Sequence, residues 1–279
     1  MQIGMGFWAS KTLLAAVRFN LFTLLAPGAL SAKEIKEKLK LDCSTRHVFD
    51  WLDTLVSLNF LERKGLLNEA LYSNAADTNT FLDKNKPTYM GGILEMSNNR
   101  LYKFWNDLEE GLLTGKPQNE SKHNPQHNME FFNELYKDPV KLQEFMNAMS
   151  GIQSGNFIEL ANKFNFSKYK TLLDIKVMGG DFIKDDSPPA EIIVMGNILH
   201  GMNEETKLEI LKKAYNALPP GGIFMAIENI IDNERRINTF GMLMSLNMLI
   251  ENGDAFDYTL DDFERWATQA GFQRVEQLA

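Results

Sequence analysis

The C-terminal half of the chain combines short apolar runs with a helical pattern. Residues 192–195 (IIVM) and 223–227 (IFMAI) are continuous apolar runs of the length that suits strands buried on both faces. Between them Asn203 is a suitable helix cap, and the breaker PPGG at residues 219–222 ends the helical pattern. The predicted inner face of that helix consists of Leu208, Leu211, Tyr215 and Leu218. A strand, a helix and a strand with short connections predict a βαβ unit with two parallel strands.

Two side chains suited to acid–base chemistry stand at the carboxyl ends of these strands. His200 follows the first strand, and Glu228 closes the second. The carboxyl ends of parallel strands share one edge of a sheet, where open α/β sheets bind ligands. A carboxylate beside an imidazole fixes its tautomer and stabilises the imidazolium, so the pair can accept a proton near neutral pH. The pattern therefore predicts a catalytic pair, and the alternatives are a solvated loop histidine and a surface carboxylate.

The N-terminal part has a different pattern. Residues 9–25 carry a wide apolar stripe at helical spacing and predict a single helix. Ser31 and Glu34 form a capping-box pattern for a short second helix, and a third helix starts near Ser44. Residues 60–67 are expected to form a small hairpin. Three helices followed by a hairpin are the winged-helix arrangement.

Several further elements complete the prediction. Residues 88–164 are expected to be wholly helical, apart from a polar loop at residues 115–128 that contains two prolines. The remaining predicted elements are a strand at residues 171–175, a helix at residues 242–250, a helix capped by Thr259 and closed by Gly271, and a strand beginning within residues 274–278.

Charge weighs against a nucleic-acid partner. The chain has 29 Lys and Arg residues against 37 Asp and Glu residues, a net charge of −8. Proteins that bind nucleic acids neutralise phosphates with clustered Lys and Arg. The outer face of the third predicted helix offers Arg46 together with Asp50 and Asp53, which leaves little positive charge there. Nucleic acid is therefore not expected as a ligand. A metal is not expected either, because His123 and His127 are separated by Pro125 and join no thiol or carboxylate cluster.

Cysteine content and the early apolar stretch bear on location. The single cysteine, Cys43, excludes an internal disulfide and fits a reducing compartment. The apolar stretch at residues 7–25 is interrupted by Lys11 and Arg18, which argues against a membrane span and a signal peptide. We therefore expect a cytoplasmic protein without a membrane partner.

Five motifs together resemble the small-molecule O-methyltransferases that use S-adenosylmethionine. They are GGDF at residues 179–182, NILH at 197–200, LPPGG at 218–222, Ile227-Glu228, and Asp262-Phe263 through Ala270-Gly271-Phe272. The resemblance covers nearly the whole chain. It implies an α/β protein with a winged-helix-like dimerisation domain at residues 1–85, a helical connector lining the acceptor pocket at 86–165, and a doubly wound, Rossmann-like methyltransferase domain at 166–279.

The same resemblance implies a homodimer, S-adenosylmethionine as cofactor, S-adenosylhomocysteine as product, and a hydroxylated aromatic or polyketide-like acceptor. It implies that His200 is the general base, that Glu228 orients it, and that Asp257 is a further acidic residue of the site. The positions implied for cofactor binding are Asp174, Asp181, Phe182 and Gly196. The positions implied for the acceptor pocket are Met149, Met244, Asn247 and Met248.

One segment of the family pattern has no counterpart. In the family, the strand that matches residues 171–175 leads into a glycine-rich turn, a helix and a second strand ending in an acidic residue for the ribose. Here Ile175 is followed directly by KVMGGD at residues 176–181, so roughly forty to fifty residues are missing, enough for more than one crossover between parallel strands. We therefore expect weak or no binding of S-adenosylmethionine by this chain. Two alternatives to an active enzyme stay open: an inactive relative that serves as a dimeric binding scaffold and, less favoured by the charge, a winged-helix transcription regulator.

Overall fold

The computed structural model describes residues 1–120, 122, 135, 137–175, 182–185 and 187–278, without the side chains of Lys141 and Glu144. These residues form two compact units. The first contains the described residues of Met1–Lys103 and Leu135–Ile152, and the second contains those of Phe104–Glu134 and Gln153–Ala279. The residues of the predicted connector, 86–165, are thus divided between the two units.

The first unit consists of short helices and a small antiparallel sheet. Its elements are α1 (Gly6–Arg18), α2 (Leu21–Leu25), β1 (Leu30–Ser31), α3 (Ala32–Lys38), α4 (Thr45–Ser57), β2 (Leu61–Lys64), β3 (Leu71–Asn74), α5 (Ala76–Phe81) and α6 (Gly92–Met96), after which the π-helical stretch Ser97–Leu101 leads into α7 (Tyr102–Phe104). The strand order is β1-β3-β2. The predicted capping box is present, since the Ser31 hydroxyl accepts from the Glu34 amide and Glu34 accepts from the Ser31 amide.

Two predictions about the first unit are wrong in detail. The single helix expected over residues 9–25 is broken into α1 and α2 at Asn20, whose φ of 55° lies in the left-handed region that asparagine tolerates. The expected hairpin within residues 60–67 pairs further along the chain, because β2 pairs with β3 from Leu61 opposite Asn74 to Lys64 opposite Leu71. A 3₁₀ turn at Leu67–Glu69 occupies the place expected for the second strand.

The second unit is built on a parallel sheet. Its elements are α8 (Leu108–Thr114), the C-terminal part of α9 (Pro139–Lys163), β4 (Leu172–Asp174), β5 (Ile192–Gly196), α10 (Glu204–Ala217), β6 (Ile223–Ile227), α11 (Thr239–Asn252) and α12 (Leu260–Ala270). The order β4-β5-β6, with both pairings parallel, confirms the predicted βαβ unit. All five residues of β5 are buried, as its unbroken apolar run predicts. Within the described residues, β4 is an edge strand.

Two predictions about the second unit need correction. In α10 the buried residues are Lys207, Ile210, Leu211 and Ala214, whereas Tyr215, expected on the inner face, is 43% exposed and packs edge-on against Phe272. The strand expected to begin within residues 274–278 is absent from that described stretch. The predicted strand end and turn at residues 179–182 fall mostly on undescribed residues, as do His123 and His127.

The ends of these elements position the polar residues discussed below. A 3₁₀ turn at Leu199–Gly201 follows β5, and Glu228 follows β6 directly. The loop before α12 is anchored by a capping box of Thr259 and Asp262 and by a bridge between Ile231 and Thr259. Among the described helices, none is both long and apolar enough to cross a bilayer.

Candidate active site

Three segments of the second unit bring a histidine and two carboxylates together. His200 lies in the turn after β5, Glu228 follows β6, and Asp257 lies in the loop between α11 and α12. One nitrogen or oxygen atom from each of the three side chains lies within 4.8 Å of the others. The cluster therefore sits at the carboxyl edge of the parallel sheet, where the strand pattern predicts a site.

The carboxylate that faces the imidazole is Asp257. His200 Nδ1 lies 3.3 Å from Asp257 Oδ1, an ion-pair distance without the alignment of a good hydrogen bond. Asp257 is 1% exposed, and within the described residues neither of its carboxylate oxygens has an aligned hydrogen-bond donor. A buried carboxylate of this kind strongly favours a positive charge beside it. Contacts of catalytic pairs are often long in ligand-free structures and tighten when substrate binds.

Glu228 holds the backbone that carries the histidine. Its Oε1 accepts hydrogen bonds from the amides of Ile198 at 3.1 Å and Leu199 at 2.9 Å, the two residues before His200. Of the two carboxylates, Asp257 lies against the ring, whereas Glu228, expected to orient the imidazole, bonds to the backbone of the turn. Two backbone donors on one carboxylate oxygen hold this turn firmly against the end of β6.

The electrostatics of the cluster favour a charged imidazole. Burial disfavours the imidazolium, but the contact with Asp257 and the charge of Glu228 outweigh burial and raise the pKa of His200 above its usual value. Burial also raises the pKa of Glu228, against the opposing effects of His200 and the two amides. Above that raised pKa the neutral imidazole is a stronger base than an ordinary histidine, which suits proton abstraction from a weakly acidic group.

Lys207, in the first turns of α10, is a residue near the cluster that was not predicted from the sequence. Its side chain is 0% exposed, and its ammonium donates to the carbonyl of Met202. The same nitrogen lies 3.6 Å from the ring centroid of Phe256, 5.7 Å from that of Tyr258 and 5.6 Å from that of Trp266. The sequence did contain a signal for this burial. Lys207 precedes Ile210, Leu211 and Ala214 by three, four and seven residues, which places all four on one helical face, and that face is buried.

The residues expected at the cofactor are only partly described. Asp174 and Gly196 end β4 and β5, and Phe182 packs against the core beneath β5, whereas Asp181 is undescribed. The buried side chain of Gln153 covers Gly196, because its Nε2 donates to the Gly196 carbonyl at 3.2 Å. Asp174 also lines an apolar cavity of about 330 Å³ that does not include the His200 cluster.

The residues expected at the acceptor lie on two helices. Met244, Asn247 and Met248 are on α11, where Met248 is buried and Asn247 Oδ1 accepts from Trp105 Nε1 at 2.9 Å. The amide of Asn247 is therefore held by an aromatic residue that the sequence analysis did not single out. Met149 lies on the part of α9 that belongs to the first unit.

The cluster also has the donor atoms of a metal site. One imidazole and two carboxylates within 4.8 Å of one another are donors that divalent metals accept. The ammonium of Lys207 already interacts with the charges of Glu228 and Asp257. A fixed positive charge there opposes the binding of a cation, so the geometry favours proton transfer over metal binding.

Two family models match the chain. The O-methyltransferase domain matches residues 173–273, and the O-methyltransferase dimerisation domain matches residues 1–84. The 8-O-methyl transferase TcmO of tetracenomycin polyketide synthesis from Streptomyces glaucescens is 29% identical over 324 aligned positions, covering 100% of this chain and 92% of TcmO. This chain has 279 residues, so 45 of those positions lie opposite no residue of it.

Two further comparisons bear on chemistry and fold. The N,N-dimethyltransferase OxyT of Streptomyces rimosus is 24% identical, covering 99% of this chain and 90% of OxyT. The crystal structure of human N-acetylserotonin methyltransferase in complex with SAM superposes with a TM-score of 0.89 at 22% identity, covering 99% of this chain and 91% of the human one. The fold class, a helical dimerisation domain followed by a class I methyltransferase fold, is thereby confirmed.

Proposed function

Because the chain belongs to the family of S-adenosylmethionine-dependent O-methyltransferases, we propose that it methylates a hydroxyl group of an aromatic or polyketide-like small molecule. The observation that carries this proposal is the buried pair of His200 and Asp257, 3.3 Å apart at the carboxyl edge of the sheet. A base at this edge is what an acceptor hydroxyl needs, since a phenol has a pKa near 10 and attacks poorly while protonated.

The cofactor supplies an electrophilic methyl group when it is bound. On the side of this chain, the carboxylate of Asp174 is chemically suited to hold hydroxyl or ammonium groups of the cofactor, and Phe182, Gly196 and Asp181 are the other proposed contacts. The fit is partial, because β4 is the edge of the described sheet and no acidic strand end lies beyond it in that part of the chain. We therefore keep the expectation that binding is weak.

The proposed role of the described residues is proton transfer. Asp257 faces Nδ1 of His200, which leaves Nε2 to accept the proton of the acceptor hydroxyl. As the imidazolium forms, Asp257 and Glu228 stabilise its charge. Glu228 keeps the ring in place through the amides of Ile198 and Leu199. In this proton transfer the acceptor O–H bond breaks, the proton goes to His200 Nε2, and the electron pair stays on the oxygen; the methyl group that this oxygen receives would be supplied by the bound cofactor.

The acceptor side is apolar with one amide. We propose that Met244, Asn247 and Met248 of α11 contact the acceptor. Methionine adapts to flat, irregular ligands, and the amide held by Trp105 offers a polar contact of fixed orientation. The polyketide context in TcmO's name supports a polyketide-like acceptor. We also propose a homodimer formed through the region that matches the dimerisation domain.

The test compares His200→Gln and Asp257→Asn with His47→Gln, a control in which an exposed histidine of α4 is changed. Binding of S-adenosylhomocysteine is measured by calorimetry, and methyl transfer to dihydroxyanthraquinone is followed by mass spectrometry. We expect His200→Gln to lower the rate about 10²- to 10⁴-fold while cofactor binding is unchanged. An unchanged rate in that variant would remove His200 from the proposal.

Other outcomes separate the alternatives. Failure of the wild-type chain to bind S-adenosylhomocysteine or to transfer methyl groups would favour the inactive dimeric scaffold. Methylation of an amine acceptor but of no hydroxyl would favour the chemistry named for OxyT. In that case the rate would not depend on His200 as a base, because a neutral amine carries its own nucleophilic electron pair.

A further inference from the structure

Lys207 connects the two segments that carry His200 and Asp257. Its ammonium donates to the carbonyl of Met202, two residues after the histidine. The same ammonium packs on the ring of Phe256, the residue before Asp257, at 3.6 Å from the ring centroid. The 0% exposed ammonium therefore contacts both segments, through a hydrogen bond on one side and a cation–π contact on the other.

The two segments have other connections, whose donors are neutral asparagine amides. Asn252 Nδ2 donates to the Gly201 carbonyl at 3.3 Å, and Asn203 Nδ2 donates to Asp254 Oδ2 at 2.8 Å. A tether alone would therefore not require a lysine. What Lys207 adds is a buried positive charge, held in place by aromatic rings whose faces attract cations.

The charges around Lys207 come from every element packed against it. The acidic groups are Glu228 after β6, Asp254 and Asp257 in the loop before α12, and Glu204 in the first turn of α10. His200 faces the group from the turn after β5, where the lysine charge disfavours the imidazolium. Trp266 of α12 contributes a ring and donates to Glu204 Oε1 at 2.8 Å. The ammonium thus offsets part of the negative charge of two buried carboxylates, Glu228 and Asp257.

We propose that Lys207 is a positioning residue of the methyl-transfer site. Its ammonium contacts both the His200 turn and the Asp257 loop and offsets the negative charge of Asp257 and Glu228. The catalytic part of this inference rests on the proposed function, whereas the effect of Lys207 on the protonation of His200 does not. Without the lysine, His200 holds its proton more strongly because a repelling charge has gone. A base that stays protonated at the working pH cannot accept a proton from the acceptor.

Three substitutions separate the charge from the hydrogen bond. Lys207→Arg keeps both, Lys207→Gln keeps a donor for the Met202 carbonyl without the charge, and Lys207→Met loses both. Lys212→Met is the matched control, since Lys212 is exposed on the same helix. The readout is the NMR titration of the His200 imidazole in the free protein, assigned among the four histidines with His200→Gln.

We expect the His200 titration to move to higher pH in Lys207→Gln and Lys207→Met, and to stay near the wild-type position in Lys207→Arg and Lys212→Met. If Lys207→Met does not fold, Lys207→Gln and Lys207→Arg decide the question. A folded Lys207→Gln protein with the wild-type His200 titration would overturn the proposal. Because this readout needs no methyl transfer, its result stands apart from the success or failure of the proposed function.

Where the wild-type chain is active, turnover gives a second measurement. A displacement of about 1 Å in a catalytic group costs about 10²-fold in rate, so Lys207→Met should lower kcat on that order. The KM for S-adenosylmethionine should change little, because the contacts of Lys207 include none of the described cofactor residues, Asp174, Phe182 and Gly196. A loss confined to KM would contradict a positioning role.

Discussion

Burial of Lys207 makes the stability of the protein depend on pH in an unusual direction. Burial lowers the pKa of this lysine from its usual 10.5 to about 8, although four surrounding carboxylates oppose that shift. In the unfolded chain the lysine keeps its proton up to about pH 10.5, whereas in the folded protein it releases the proton from about pH 8. Over this window the unfolded state binds more protons, so stability rises with pH. Replacing Lys207 with methionine removes this contribution.

The size of the effect follows from the two pKa values. The full window corresponds to about 3 kcal/mol, and about 2.5 kcal/mol of it is reached by pH 10. Almost none of it is present at pH 7, where the lysine is protonated in both states. The free energy of unfolding of the wild type, minus that of Lys207→Met, should therefore increase by about 2 to 3 kcal/mol between pH 7 and pH 10.

Urea unfolding followed by tryptophan fluorescence measures this difference, because Trp266 is buried against Lys207. Both proteins are unfolded at a series of pH values from 7 to 10. Taking the difference between them cancels the titration of the groups whose pKa Lys207 does not influence. Lys212→Met, which removes an exposed lysine from the same helix, should show no such trend. A difference that stays constant with pH would refute the reasoning, since it would mean that folding leaves the affinity of Lys207 for its proton unchanged.

Two further substitutions test the site and its frame. Glu228→Gln keeps an oxygen acceptor for the amides of Ile198 and Leu199 but removes the negative charge. The imidazole of His200 should therefore titrate at lower pH, as measured by NMR. An unchanged His200 titration would contradict the electrostatic role of Glu228. Gly253→Ala should destabilise the protein by about 1–3 kcal/mol in urea unfolding, because φ is +80° and a Cβ would lie 2.9 Å from Pro117 Cδ. Gly155→Ala, in a helix with open space around it, is the control and should stabilise by about 0.5–1 kcal/mol; equal effects of the two changes would argue against strain at Gly253.

The central βαβ unit could be predicted because each of its signals is local. The apolar runs at residues 192–195 and 223–227, the Asn203 cap and the breaker after Leu218 each depend on neighbouring residues only. The edge of the sheet that gathers His200 and Glu228 then follows from the parallel pairing. Local patterns that fit only one type of secondary structure are the part of a fold that can best be predicted from a single sequence.

The contacts within the site could not be predicted in the same way. Asp257 and His200 are separated by a long stretch of chain, and only the folded loop before α12 shows that Asp257 faces the ring. Tyr215 was expected inside and Lys207 was not, because a helix offers two adjacent faces and hydropathy alone chooses the more apolar one. The rings that make burial of Lys207 possible come from Phe256 and Trp266, far along the chain.

The chain passes between the two units more than once. It leaves the first unit between Lys103 and Phe104, and α9 then contributes residues up to Ile152 to the first unit and residues from Gln153 to the second. No single proteolytic cut can therefore release either unit whole. An exchange of the N-terminal unit with a relative, by recombination in evolution or in the laboratory, needs several crossover points. One of them must fall inside α9, where a break in the helix has to be rejoined in register.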